Sequence, residues 1–185
     1  GNSGFDYGTG VLQLGDSSYL ITGSSSSYNP NSADAMIMHI DSAGTLINTN
    51  FYGGAENDWG KKIVMGADSS IAIAGYTNSM GEGGYDFYFF KTDFNKSLLQ
   101  EKTYGGDDWD FAYDLIALPD SGYILVGETS SFDAIGTDAY MVRIDKNGDT
   151  LWTQQFGGIG NDSFRGIQLL NDNEFVVCGT YQHED

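Results

Sequence analysis

Carboxylates are the most abundant reactive groups in this chain, and they recur at a fixed interval. Asp6, Asp58, Asp110 and Asp162 stand 52 residues apart, as do Asp16, Asp68, Asp120 and Asp172. Asp34, Asp86 and Asp138 form a third column, and Asp41, Asp93 and Asp145 a fourth. Carboxylates on glycine-rich loops can hold a hard cation such as Ca2+, attract a cationic partner, or accept backbone N–H bonds that fix a turn. All three readings are open for the first column, with Asp58, Asp110 and Asp162 as candidate calcium ligands. Asp107 and Asp108 join Asp110 in the densest acidic cluster, the first candidate for a cation. The run Asp145-Lys146-Asn147-Gly148-Asp149 also spaces oxygen ligands alternately. It departs from an EF-hand at Thr150, where that loop needs glycine, and at Phe156, where it needs an acid, so it reads as a strand-to-strand turn.

Aromatic side chains accompany these acids. Trp59, Trp109, Tyr76, Tyr28 and Phe132, with Tyr85, fall in or beside the loops that the repeat places on one face. Rings next to carboxylates and amides suit sugars, which stack on a π-face while their hydroxyls are hydrogen-bonded. Packing between repeats is the competing reading, because Tyr7, Trp59 and Phe111 share a column. Nucleophilic chemistry finds no support. His39 shares its column with Lys91 and Arg143 and reads as a surface charge, His183 lies in the last residues, and no Ser or Cys has a recurring histidine near it. Cys178 is the only cysteine, so no disulfide forms within one chain. Its setting in Phe175-Val176-Val177-Cys178 reads as a small buried hydrophobe.

The elements that must position these groups follow from the repeat. Gly23, Gly75, Gly127 and Gly179 keep the same register, without an insertion anywhere along 185 residues. In the third copy four strands are expected: Ala112–Leu118, Tyr123–Val126, Ala139–Ile144 and Thr150–Phe156. A loop of about ten residues is expected between the second and third. The middle strands are apolar on both faces (Ala35-Met36-Ile37-Met38, Phe87-Tyr88-Phe89-Phe90) and so must be covered on both. The fourth is polar, as an outer edge is. Four antiparallel strands per repeat, stacked face to face, describe an all-β propeller, with a hairpin solenoid as the alternative. Its blades span residues 1–52, 53–104 and 105–156, with half a blade at 157–185. Roughly six to eight blades close a propeller. The chain is therefore expected to be part of a larger ring, or to have its end blades covered by a partner chain. The loop before each first strand and the loop between second and third strands share a face, where the Asp6 column would ring the channel mouth.

Composition narrows the partners. Twenty-six acidic against 8 basic residues give a net charge of −18, which repels phosphate backbones and anionic lipid and excludes nucleic acid as a partner. No apolar run approaches the ~18 residues that span a bilayer, and no secretory signal opens the chain.

Taken together, Gly122-Tyr-Ile-Leu-Val-Gly-Glu-Thr-Ser-Ser131, Asp138-Ala-Tyr-Met-Val-Arg-Ile-Asp145, Asn147-Gly148-Asp149-Thr150-Leu151-Trp152 and Phe156-Gly157-Gly158 resemble the SBBP-type bacterial β-propeller repeat. The resemblance covers the whole chain. Asn48 and Gln100 depart from it in the Trp152 column, and Lys96 replaces a turn glycine. It implies a propeller from an exported, extracellular or cell-surface protein, often in Bacteroidota and often with a type IX secretion sorting domain, and it brings no catalytic residues. The expected function is a non-catalytic binding or scaffold module whose partners are other proteins or surface glycans. A glycan-binding lectin is the first alternative, and a propeller enzyme with catalytic loops outside this segment the second.

Overall fold

Alternating or continuous apolar runs of about seven residues, punctuated by turns such as Ser121-Gly122 and Asn147-Gly148, can only bury themselves as short strands. The computed structural model describes residues 3–29, 31–172 and 174–182, and every regular element among them is a β-strand. The first sheet is β1 (Asp6–Gln13), β2 (Tyr19–Ser25), β3 (Asp34–Ile40) and β4 (Leu46–Tyr52). The second is β5 (Asp58–Met65), β6 (Ile71–Thr77), β7 (Asp86–Thr92) and β8 (Leu98–Tyr104). The third is β9 (Asp110–Ala117), β10 (Tyr123–Thr129), β11 (Ile135–Ile144) and β12 (Thr150–Phe156). Each is an antiparallel meander in chain order. A short strand β13 (Ile159–Asn161) precedes a last hairpin, β14 (Ser163–Asn171) and β15 (Glu174–Thr180). These are propeller blades, and the sheets do not close into a ring.

The core lies between sheets. Leu20, Ile37, Ile63, Ile73 and Phe90 fill the first gap, Phe87, Phe89, Leu115, Leu125 and Val142 the second, and Ile116, Ile124, Met141 and Ile167 the third. Polar stitches hold the same spacing. The backbone N–H groups of Asp58, Asp110 and Asp162 donate to the carbonyls of Ala33, Tyr85 and Thr137 in the preceding blade, at 2.6, 2.6 and 2.7 Å. The Tyr52 hydroxyl donates to the Lys96 carbonyl at 2.7 Å and that of Tyr104 to the Gly148 carbonyl at 2.8 Å.

The glycine column has a steric cause. The first strand of each blade carries a bulge opposite the second, and there its backbone folds over Gly23, Gly75, Gly127 and Gly179. A Cβ on Gly75 would sit inside the Trp59 carbonyl oxygen, and the other three meet the equivalent carbonyl. Only glycine fits.

Several expectations need correction. β11 begins at Ile135 rather than Ala139, because Ile135–Thr137 pairs in parallel with β13, and the preceding loop shortens to residues 130–134. Cys178 is exposed, since no neighbouring sheet among the described residues covers the outer face of β15. His39 is not a free surface charge. Its Nε2 meets Ser18 Oγ at 2.9 Å and its Nδ1 meets Lys96 Nζ at 3.0 Å. Partial burial and the Lys96 charge lower its pKa. Lys91 and Arg143 in that column are buried and pair with Asp68 (3.1 Å) and Asp120 (2.5 Å) of their own blades. His183 lies outside the described residues.

Candidate functional site

The Asp6 column does not ring an opening. Asp58 and Asp110 are 0% exposed and Asp162 is 1% exposed, and each clamps the loop that enters its own strand. Asp58 Oδ2 accepts from the Gly54 N–H at 2.8 Å and from Ser79 Oγ at 2.9 Å, while Oδ1 accepts from the Thr77 hydroxyl. Asp110 repeats this with the Gly106 N–H (2.8 Å) and Ser131 Oγ (2.9 Å). Asp162 takes the Gly158 N–H (3.3 Å) and the Gln182 N–H (2.7 Å). Burial raises the pKa of Asp58 and Asp110 against these hydrogen bonds. The clamp ties the Gly-Gly entry to the loop after the second strand, which is why Asp, Gly-Gly and Ser/Thr travel together in the repeat.

Two other acidic columns cap turns. Asp41 Oδ1 accepts from the Ala43 and Thr45 N–H groups at 2.9 and 2.8 Å, and Asp145 Oδ1 from Asn147 and Asp149 at 2.8 and 2.9 Å. These bonds lower the pKa of both acids. Asp16 and Asp68 do likewise for Ser18 and Ser70. Residues 145–149 are thus a turn between β11 and β12. Asp107 and Asp108 are exposed. Among the described residues no group of three or more His, Cys, Asp or Glu side chains is arranged to hold a metal ion.

The loop aromatics divide. Trp59, Tyr76 and Trp109 belong to one continuous strip with Phe5, Tyr7, Tyr85 and Phe111, in which successive ring centroids lie 4.9 to 6.4 Å apart. Column packing and surface display therefore coincide here: the rings bridge three blades, and Trp109 is still 57% exposed. Lys61 Nζ lies 5.1 Å from the Tyr76 ring and 5.6 Å from that of Trp59. Phe5, Tyr7 and Trp59 also wall a cleft of ≈ 320 Å³ with Asn31, Asn57 and serines. Tyr28 packs on Phe51 (4.8 Å) and Phe132 on Tyr140 (5.5 Å), both away from the strip.

A site that the sequence did not single out lies between the second and third blades. Asp86, at the start of β7, is 2% exposed, yet its Oδ2 has no hydrogen-bond partner among the described residues. It lines a cleft of ≈ 480 Å³ with Glu82, Thr103, Tyr104, Phe132, Tyr140 and Thr153. Gly105 leaves room for Asp86 Oδ1 and Asp110 Oδ2 to converge, since a Cβ there would meet both. Burial first, then the Asp110 and Glu82 charges, push the Asp86 carboxyl up to about 7. The third column of acids carried no expectation, because repetition alone does not reveal which oxygens lack a partner; Asp138 Oδ1 is likewise buried and unpartnered among the described residues.

No protein-family model matches the chain. A curated protein, regulatory protein FlaEY of Caulobacter vibrioides, is 28% identical over 171 residues, which cover 78% of this chain. The chain spans about 18% of that relative's length. Among solved structures, an acylaminoacyl peptidase of Pyrococcus horikoshii superposes on 94% of this chain and 32% of its own, with a TM-score of 0.47 and 13% identity.

Proposed function

We propose that this chain is a non-catalytic binding and scaffold module, part of a larger propeller in an exported bacterial surface protein. The observation that carries the reading is the aromatic strip, with Trp109 at its exposed end. Aromatic surfaces shared by several rigid blades are the kind of patch that anchors a protein partner. The recurring acids Asp58, Asp110 and Asp162 are bound up as clamps and do not contribute to that surface. Export and a Bacteroidota-type surface setting rest on the SBBP resemblance. Apolar side chains exposed on the two end sheets, Val11 and Leu46 on one and Leu170 and Val176 on the other, fit coverage by further blades or a partner chain.

A photo-crosslinking residue at position 109, expressed in the native cell, should give discrete protein adducts that the Trp59→Ala variant loses. A glycan array run alongside separates the second reading, which the Phe5–Tyr7–Trp59 cleft with its amide and hydroxyl rim favours. Array binding lost in Trp59→Ala would make the module a lectin. No adducts and a silent array would refute a binding role for the strip. Fractionation that finds the protein only in the cytoplasm would remove the exported setting.

A further inference from the structure

The three inter-blade acids make a natural comparison. In the first gap, Asp34 is hydrogen-bonded by the Asn29 side chain, and Phe51, at the position that Gln155 holds in the third blade, packs against Tyr28. In the third gap, Asp138 Oδ2 accepts from the Gln155 side-chain amide at 2.6 Å, while its Oδ1 is buried without a partner among the described residues. In the second gap the Asn29 position is Gly81 and the Phe51/Gln155 position is Thr103. Neither can reach Asp86. The carboxyl keeps one hydrogen bond, from the Glu82 backbone, and its buried Oδ2, beside Gly81, is left without a partner among the described residues at the wall of the cleft that Asp86 lines.

The surroundings specify what would satisfy it. The charged groups facing Asp86 are Asp110 from β9 and Glu82 from the β6–β7 loop, with Tyr140 from β11 and Tyr104 from β8 walling the cleft; the Tyr104 hydroxyl itself is turned to the Gly148 carbonyl. No basic side chain lines the cleft. The mouth continues through Glu82, Gly105 and Phe132 into a second basin, ≈ 400 Å³, lined by Asp107, Asp108 and Asp133 and again by no base. A neutral donor such as a sugar hydroxyl could bond Asp86 Oδ2, yet it would leave the repulsion among Asp86, Asp110 and Glu82 in place. A cation answers both, and the rings of Phe132, Tyr140 and Tyr104 suit an organic ammonium with alkyl carbons better than a bare metal ion.

We propose that the cleft between the second and third blades binds a primary alkylammonium, with Asp86 receiving the ammonium, the aromatic walls holding its alkyl stem, and Glu82, Asp107, Asp108 and Asp133 attracting further positive charge at the mouth. Two sources carry this chemistry: a lysine side chain of a basic peptide segment, and a free polyamine. The lining differs from the aromatic strip, so this site can fail while the strip binds, and the reverse.

The test is a titration of the isotopically labelled chain with n-butylamine, spermidine and acetyl-Lys-Lys-Lys-amide, followed through backbone amide signals, with Ca2+ and N-acetylglucosamine run in parallel. The amines should shift signals of residues 81–86, 103–106 and 131–133. Binding needs the ionised carboxylate, so affinity should fall roughly tenfold between pH 8 and pH 6 as the competent fraction drops. Asp86→Asn, which keeps the shape, should weaken binding at least about tenfold. Thr103→Gln should do the same by placing an amide on Asp86 as Gln155 does on Asp138, and its melting temperature shows that it folds. Tighter binding of the peptide than of spermidine identifies a protein ligand, and the opposite order a free polyamine. Shifts produced only by Ca2+ or by the sugar, or amine binding unchanged in Asp86→Asn, would overturn the proposal.

Discussion

Asp58 shows how a repeated reactive group is absorbed into architecture. Its carboxylate is shut away from solvent because Gly54, Thr77 and Ser79 supply the hydrogen bonds that water would otherwise give. Thr77→Val keeps the volume and removes one donor from a buried charge, and should cost about 1–3 kcal/mol; urea denaturation measures it, and an unchanged midpoint would contradict the clamp. Asp86 has the opposite problem. Its folded pKa, about 7, lies above its unfolded value of 3.8. Its contribution to stability is therefore fully present below about pH 4 and is lost as pH rises to about 7. Burial turns Asp58 and Asp110 in the same direction. Asp86→Asn should melt close to wild type at pH 4 and above it at pH 8. A difference between the two proteins that does not change with pH would show that Asp86 titrates normally.

At the level of strands and turns, much was legible in advance. β12 runs over the expected Thr150–Phe156, and the turns at Asp41, Asp93 and Asp145 are capped as Asp-rich turns should be. Alternation, apolar runs and turn chemistry are local properties, and each repeat states them again. What could not be read were relations between blades: the Tyr52 and Tyr104 hydroxyl bonds, the convergence of Asp86 on Asp110, and the exposure of Cys178. Those depend on what faces a residue across a gap. Asp86 is the clearest instance, since the lack of a side-chain donor to it at Gly81 and Thr103 is visible only beside Asn29 and Gln155. The glycine column is a local rule with a measurable consequence. Gly75→Ala drives a methyl into the Trp59 carbonyl and should cost roughly 3 kcal/mol or more, or abolish soluble expression. Gly15→Ala, at a turn with nothing within 4 Å of the added carbon, should stay within about 0.5 kcal/mol. Equal effects would mean that the bulge relaxes.

Across the whole molecule, burial is graded. The strands β6, β7 and β10 are buried nearly throughout, whereas β15 is mostly exposed on its sheet. Stacked repeats take their stability from neighbour interfaces, so opening should be cheapest where one interface is missing. Hydrogen exchange should protect the amides of β6, β7 and β10 most and those of β15 least; uniform protection would indicate a single cooperative unit instead. The stitches from Asp58, Asp110 and Asp162 to Ala33, Tyr85 and Thr137 also act as a length gauge. Each fixes one point of a blade against one point of the blade before it, so a residue added or lost in between would throw every later rung out of step. Growth by whole units escapes that penalty. A duplicate of residues 53–104 spliced after Tyr104 would meet on both sides the same donors and acceptors that the native junctions already join, which makes the chain extensible in the manner of masonry courses rather than by the single brick.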